Sequence, residues 1–261
     1  MILLFIPYCL NNKLSQNLGE CSMNELTVKY KNELNTIPMR KFNAKEMDLF
    51  FSICAKMKNK STSTVKFYFE DLKGLSNYKM TATNHFVKDL DNVYTKMLGL
   101  NYREESATKI KRFVLFTDFE IDKEEKYVEI SVNPKLEYIL NQLTHEFTQF
   151  ELKEFTSLSS SYSKTMYRLL KQFKSTGFYT VKMDEFRELL DIPTSYRMGN
   201  IDQQILNPIK KELKQYFNPF NIIKIKAKKG NKIERLEFQF KEKKHVEDYL
   251  PDIPMHNWLD E

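Results

Sequence analysis

Apolar residues first recur at helical spacing over residues 43–57, where Met47, Phe50, Phe51, Cys54 and Met57 form one stripe. Asn43 precedes the stripe and Glu46 follows it by three, the pattern of a capping box. The alternation Val65, Phe67, Phe69 predicts a short strand. Leu72 and Leu75 then belong to a short helix, and Phe86, Leu90, Val93 and Met97 to a second one. KIKRFVLFTDFEI, a charged turn at 122–126 and KYVEISV predict a β-hairpin. Pro134 ends it, and residues 135–143 have a helical pattern.

The order then repeats. Residues 163–174 predict a helix with Met166, Tyr167, Leu170 and Phe173 inward, residues 178–183 a strand, and residues 184–190 a short helix. A longer helix is expected over 200–217, with Ile201, Ile205, Ile209 and Leu213 along one stripe. Two strands, 221–227 and 232–240, flank a basic turn at 228–231. Residues 67–75 laid over 181–189, an offset of 114, agree in apolar, acidic or basic class at seven of nine positions. Two copies at that spacing are a duplicated domain, because a solenoid repeats every ~20–50 residues. Two short helices followed by a hairpin describe a helix-turn-helix with a wing. The expected fold is therefore α+β, two tandem winged-helix domains.

Charge gives this plan a direction. The net charge is only +6 over 261 residues, but residues 207–244 hold 12 Lys+Arg and 4 acids, net +8, so the rest of the chain nets −2. The excess lies on the last helix and wing of the second copy, the elements that meet DNA in such a domain. Lys210, Lys211 and Lys214 flank the helix stripe, and Lys224, Lys226, Lys228, Lys229, Lys232 and Arg235 decorate the hairpin. Phosphate contacts supply affinity without sequence information. Base readers are expected near the start of the recognition helix: Arg197, Asn200, Asp202, Gln203, Gln204 and Asn207. Arg can grip guanine, Asn or Gln adenine, and Asp can accept from cytosine N4. The first-copy equivalents are Lys79, Thr81, Thr83, Asn84, His85 and Lys88, with Lys109, Lys111 and Arg112 on its wing; Thr83 or Asn84 could instead only cap the helix.

Composition excludes other classes. With 41% hydrophobic and 13% aromatic residues the chain is not disordered, and six glycines are too few for Gly-rich phosphate loops. Cys9, Cys21 and Cys54 form no CxxC pair, so neither zinc nor a redox motif is supported; Cys54 reads as a core residue and a reducing cytoplasm fits. His85, His145, His245 and His256 form no HxH, HxxxH or HExxH pair, and no GxxxxGK[ST] occurs. Glu104–Glu105 and Glu124–Glu125 fall on expected turns as solvated charges, and Ser161 or Ser163 is an expected N-cap rather than a nucleophile. No catalytic constellation, metal site, cofactor or membrane span is expected. Residues 1–22, opening MILLFIPYCL, are expected to be a leader or start-site extension ahead of Met23, and residues 245–261, with five acids and no Lys or Arg, an acidic tail.

The run SLSSSYSKTMYRLLKQF, a strand, MDEFRELLDIP, the helix ILNPIKKEL and a basic hairpin ending in EFQF together resemble the Rep_3 family of plasmid replication initiators. NELTVKYKNELNTIPMRKF resembles the start of its theta-replicating members, and the likeness covers residues 24–241. The resemblance implies an N-terminal winged helix over 23–143 with DNA contact and dimerisation, and a C-terminal one over 144–244 with the main recognition. It implies binding of double-stranded origin repeats, iterons, by monomers, opening of an adjacent AT-rich segment, and recruitment of the host initiator and replicative helicase. A homodimer would repress the protein's own gene. The competing reading within DNA binding is a winged-helix transcriptional regulator, which needs one reading head and an effector pocket.

Overall fold

The computed structural model describes residues 26–243, apart from Arg40, 80–82, Leu100 and Gln142. The expected leader at 1–22, the acidic tail at 245–261 and Thr81 lie outside the described residues. The chain opens with β1 (Thr27–Lys31) and α1 (Glu33–Thr36), then α2 (Ala44–Met57). The capping box at α2 forms as the sequence predicts: Asn43 Oδ1 accepts from the Glu46 amide at 2.9 Å and Glu46 Oε2 from the Asn43 amide at 2.7 Å. β2 (Val65–Tyr68), α3 (Phe69–Leu75) and α4 (Thr83–Leu98) follow. Phe69, expected to end the strand, instead opens α3, and its ring is buried.

The segment predicted as one strand before the 122–126 turn is two. β3 (Asn101–Glu105) pairs with β4 (Ile110–Val114) as a separate ribbon, and β5 (Phe116–Asp122) pairs with β6 (Tyr127–Val132). Glu104–Glu105 are thus on a strand, not a turn, whereas Glu124 and Glu125 do sit in the exposed turn, where their amides donate to Asp122 Oδ1. After Pro134 the chain makes a short 3₁₀ turn, Pro134–Ile139, rather than a helix to 143.

β7 (Phe147–Glu151), α5 (Leu152–Ser157), α6 (Ser161–Gln172), β8 (Phe178–Lys182) and α7 (Met183–Leu189) restart the order. The N-cap of α6 is Ser160, whose hydroxyl accepts from the Ser163 amide, so neither Ser161 nor Ser163 fills that role. The long helix begins earlier than expected and is interrupted: α8 (Met198–Ile201), a π turn (Asp202–Leu206) and α9 (Asn207–Leu213). β9 (Phe217–Lys226) and β10 (Ile233–Glu242) form the final hairpin.

Each copy builds a three-stranded sheet in the same order, β2-β6-β5 and β8-β10-β9. α3 (Phe69–Leu75) and α7 (Met183–Leu189) lie 114 residues apart, as the sequence offset predicts, whereas the strand partners Val128 of Phe67 and Leu236 of Val181 lie 108 apart, so the spacing shortens by six residues before the hairpin's second strand. At the start of β8, Gly177 has φ +66°, and a Cβ there would lie 2.6 Å from the Phe240 carbonyl oxygen, so β10 can pass close only over glycine.

The copies share one frame. β1 pairs with β7 antiparallel, Tyr30 opposite Thr148. Behind this pair lie charges that the apolar pattern does not announce. The Lys164 ammonium, fully buried, sits 2.5 Å from Asp48 Oδ1 and donates to the Phe155 carbonyl at 2.6 Å. Burial pushes Asp48 up to about 6, with the ammonium offsetting only part of it, and the same burial lowers Lys164. Arg168 donates to the Leu34 carbonyl and to Asn35 Oδ1, and Asn35 donates to Thr148 and Gln172. Cys54 is buried in the apolar core beside this joint.

Candidate nucleic-acid interface

In the second copy the core fixes the orientation of the recognition helix. Ile201, Ile205, Ile209 and Leu213 are each 0% exposed. That anchoring leaves Arg197, Asn200, Gln203, Gln204, Asn207, Lys210, Lys211 and Lys214 exposed around the other faces. Asn200 folds back, its Oδ1 accepting from the Arg197 amide at 3.0 Å and closing the first turn. Asp202 does not stand free for a base: its Oδ1 lies 2.5 Å from Lys224 Nζ on β9.

The wing is long and cationic. Residues 217–242 carry seven Lys+Arg and three acids, net +4. Leu236, Phe238 and Phe240 of β10 are buried, which turns one face of the hairpin onto the helices. Lys224 pairs in register with Leu236, so it projects from that inner face toward the recognition helix. Lys226, Lys228, Lys229, Lys232 and Arg235 are exposed.

The first copy differs. Phe86, Leu90, Val93 and Met97 anchor α4, and Asn84, His85 and Lys88 are exposed on it, as is Lys79 in the preceding loop. Thr83 is engaged by a buried neighbour, its hydroxyl accepting from Lys73 Nζ at 3.0 Å. A cleft of about 660 Å³ separates α4 from β5, with Asn84, Lys88 and Asp91 on one side and the stacked pair Tyr94–Phe119 beneath. The hairpin equivalent to the wing is β5–β6, and residues 116–132 carry six acids and two lysines, net −4. Lys111 and Arg112 are therefore not on the wing as expected. They lie on β4 of the separate β3–β4 ribbon, with Lys109 just before it; the Lys111 side chain is outside those described.

The structure thus brings the candidate residues Arg197, Asn200, Gln203, Gln204, Asn207, Lys210, Lys211 and Lys214 together, exposed on or beside one helix, and Lys228, Lys229 and Lys232 at the turn of the neighbouring hairpin. The tie between Asp202 and Lys224 was not visible in the sequence, since it joins residues 22 apart across two elements. Among the described residues no cluster of three or more His, Cys, Asp or Glu side chains could hold a metal ion, and no helix is long and apolar enough to cross a membrane.

Comparison with known proteins gives the same architecture. Residues 27–171 match the family model described as initiator replication protein, WH1, and residues 182–240 the model described as initiator Rep protein, WH2. A probable replication protein of Bifidobacterium longum (strain NCC 2705) is 39% identical over 193 residues, 73% of this chain and 65% of that protein. The PI protein of Escherichia coli is 27% identical over 138 residues, 45% and 44% of the two chains. The chain thus spans just under two thirds of the first relative and less than half of the second. Among solved structures, the Pi initiator protein in complex with iteron DNA superposes with a TM-score of 0.67 over 85% of this chain and 99% of that one, at 17% identity, a likeness of fold.

Proposed function

Since the chain belongs to the initiator replication protein family, matched over more than half its length, we propose that it is a plasmid replication initiator that binds directly repeated origin sequences through two winged helices. The observation that carries this reading is the second copy's surface: one exposed polar and basic helix face beside a hairpin of net +4. Lys210, Lys211, Lys214, Lys228, Lys229 and Lys232 hold phosphates, each contact releasing condensed counterions. Arg197, Asn200, Gln203, Gln204 and Asn207 face base edges. In the first copy Lys79, Thr83, Asn84, His85, Lys88, Lys111 and Arg112 make the lesser contacts.

Residues 23–143 and 144–244 act as the two heads. The restart of the element order at β7 supports this division. With both on one duplex, their recognition helices lie about one turn apart, ~34 Å. Bound monomers help open an adjacent AT-rich segment, where the host initiator and replicative helicase enter. A homodimer represses the protein's own gene. The chain works in the cytoplasm by binding, without a chemical step of its own.

The test uses supercoiled plasmid carrying the DNA upstream of the gene. An initiator protects several ~20-bp direct repeats and renders a neighbouring AT-rich stretch reactive to a single-strand probe. Protection of one operator without opening would make it a transcriptional regulator, and relaxation of the circle would make it a nickase.

A further inference from the structure

The two recognition helices are anchored by different spacings. In α4 the buried residues Phe86, Leu90, Val93 and Met97 step by four, three and four, the average an α-helix needs. In the second copy Ile201, Ile205, Ile209 and Leu213 step by four each time. At about 100° per residue a strict four-residue repeat drifts about 40° per step, about 120° over three. Yet all four side chains are fully buried.

The helix reconciles the two by widening. Asp202–Leu206 form a π turn in which the Asn207 amide donates to the Asp202 carbonyl, five residues back. The residue that demands this is Pro208. It has no N–H, and in a regular α-helix its ring would strike the Gln204 carbonyl four residues back. The wider turn removes that clash and brings the helix to an average near four residues per turn.

The effect on the opposite face is to align it. With the four apolar residues in line, Gln203, Asn207 and Lys211 form one row directly across from them, and all three are exposed. Without the π turn that row would drift about 80° across the surface. Asp202, at the start of the wide turn, points to the side of the wing and is held there by Lys224 at 2.5 Å.

We propose that the π turn set by Pro208, with the Asp202–Lys224 bridge between recognition helix and wing, is what determines sequence specificity. It presents Gln203, Asn207 and Lys211 as one row and fixes the angle between that row and the backbone-gripping hairpin. Asp202 is a positioning residue, not a base reader. This rests on the proposal that the second winged helix reads DNA.

The experiment selects bound sequences from a randomised duplex library with the full chain, then measures the affinity ratio between the selected sequence and random duplex. Pro208→Ala and Asp202→Asn each lower that ratio tenfold or more with folded circular dichroism retained. The exchanged pair, Asp202→Lys with Lys224→Asp, recovers at least half of the lost factor on a logarithmic scale. An unchanged ratio in either single variant overturns the proposal, as does an exchanged pair no better than Asp202→Asn. So does an Asp202→Asn protein that keeps its ratio on a new sequence differing at one base pair, which would make Asp202 a base reader. If the wild-type chain enriches no sequence at all, the reading of the helix as a DNA reader fails instead.

Discussion

The hairpins β5–β6 and β9–β10 hold equivalent places in sheets of the same strand order, yet one carries net −4 and the other net +4. The duplicated scaffold conserves what the core needs, buried alternation on one face of the hairpin, and leaves the outer face to diverge. An acidic wing repels a phosphate backbone, so what is left to the first copy is the exposed Lys88 of α4, a helix that nets zero, and the β3–β4 ribbon, where residues 101–114 net +2. The second copy puts its cations on the hairpin itself. The difference teaches that, if the chain binds DNA as proposed, the hairpin that can grip the duplex is the second copy's, and the first copy must approach the duplex by other elements.

That comparison presumes one frame holding both heads, and the frame is where the largest effect is expected. Lys164→Met removes the only ammonium within bonding distance of buried Asp48 among the described residues, apart from Lys45 at 3.8 Å. Losing one partner of a buried pair costs about 3–5 kcal/mol. The loss has a pH signature. Asp48 already stands at about 6, above its unfolded value, because burial disfavours its charge. The folded state therefore keeps a proton that the unfolded chain releases, and stability falls as pH climbs from about 4 through the folded value. Without the ammonium that value rises further, so the variant loses more at pH 8 than at pH 5. Thermal or denaturant unfolding at the two values checks it; equal losses would mean that Asp48 does not feel the cation.

Next in size is the grip of the basic wing. Replacing Lys228, Lys229 and Lys232 together by Ala lowers the slope of log affinity against log salt by about 1–3 units, since each phosphate contact carries ~0.9. At ~0.15 M salt the same three contacts amount to roughly 100-fold in affinity, on any duplex. An unchanged slope would take that hairpin off the backbone and erase the contrast between the wings.

The reading heads are separated by smaller changes. Gln203→Ala costs about 1–3 kcal/mol on the cognate repeat and little on random duplex. Asn84→Ala, exposed in the first turn of α4, costs less than about 1 kcal/mol on the same repeat if the second copy does the reading. Equal costs on the repeat would make the two heads equal readers, and a Gln203 loss shared by random DNA would make that residue a phosphate contact.

Much of this architecture was legible because it is local. α2, α4 and α6 announce themselves by apolar stripes, and the capping box at Asn43 and Glu46 stands in three letters' spacing. What stayed hidden is what bridges distant segments. β1 finds its partner β7 some 120 residues away, and no local pattern encodes that pairing. The β3–β4 ribbon is rich in charge, Arg103, Glu104, Glu105, Lys111 and Arg112, and lacks the alternation that marks a half-buried strand. Lys164 and Arg168 default to the surface in any sequence reading, yet both are fully buried, because each finds an acceptor on the other copy. Asp202 shows the same limit within the site: its charge is obvious, its tie to Lys224 is not. The strict four-residue spacing of Ile201, Ile205, Ile209 and Leu213 around Pro208 did carry a sign of the π turn, since no straight α-helix buries four such residues equally.

The smallest expected effect bears most directly on the contrast between the wings. Glu120, Glu124 and Glu125 are exposed on β5 and its turn. If the first hairpin stands away from the duplex, changing all three to Gln removes repulsion that salt already screens, because the Debye length is ~8 Å at ~0.15 M. Affinity for random duplex then rises by no more than about threefold, and the salt slope stays within half a contact, ~0.45 units, of wild type. A gain above about tenfold, growing steeply as salt is lowered toward ~0.01 M, would place the acidic hairpin against the backbone and make it a brake on binding. A loss of affinity would mean that these carboxylates take part in the DNA complex. Measuring random-duplex affinity for this variant beside the Lys228, Lys229 and Lys232 variant over one salt series tests both hairpins on a common scale: for the contrast to stand, the lysine variant loses affinity and slope while the glutamate variant loses neither.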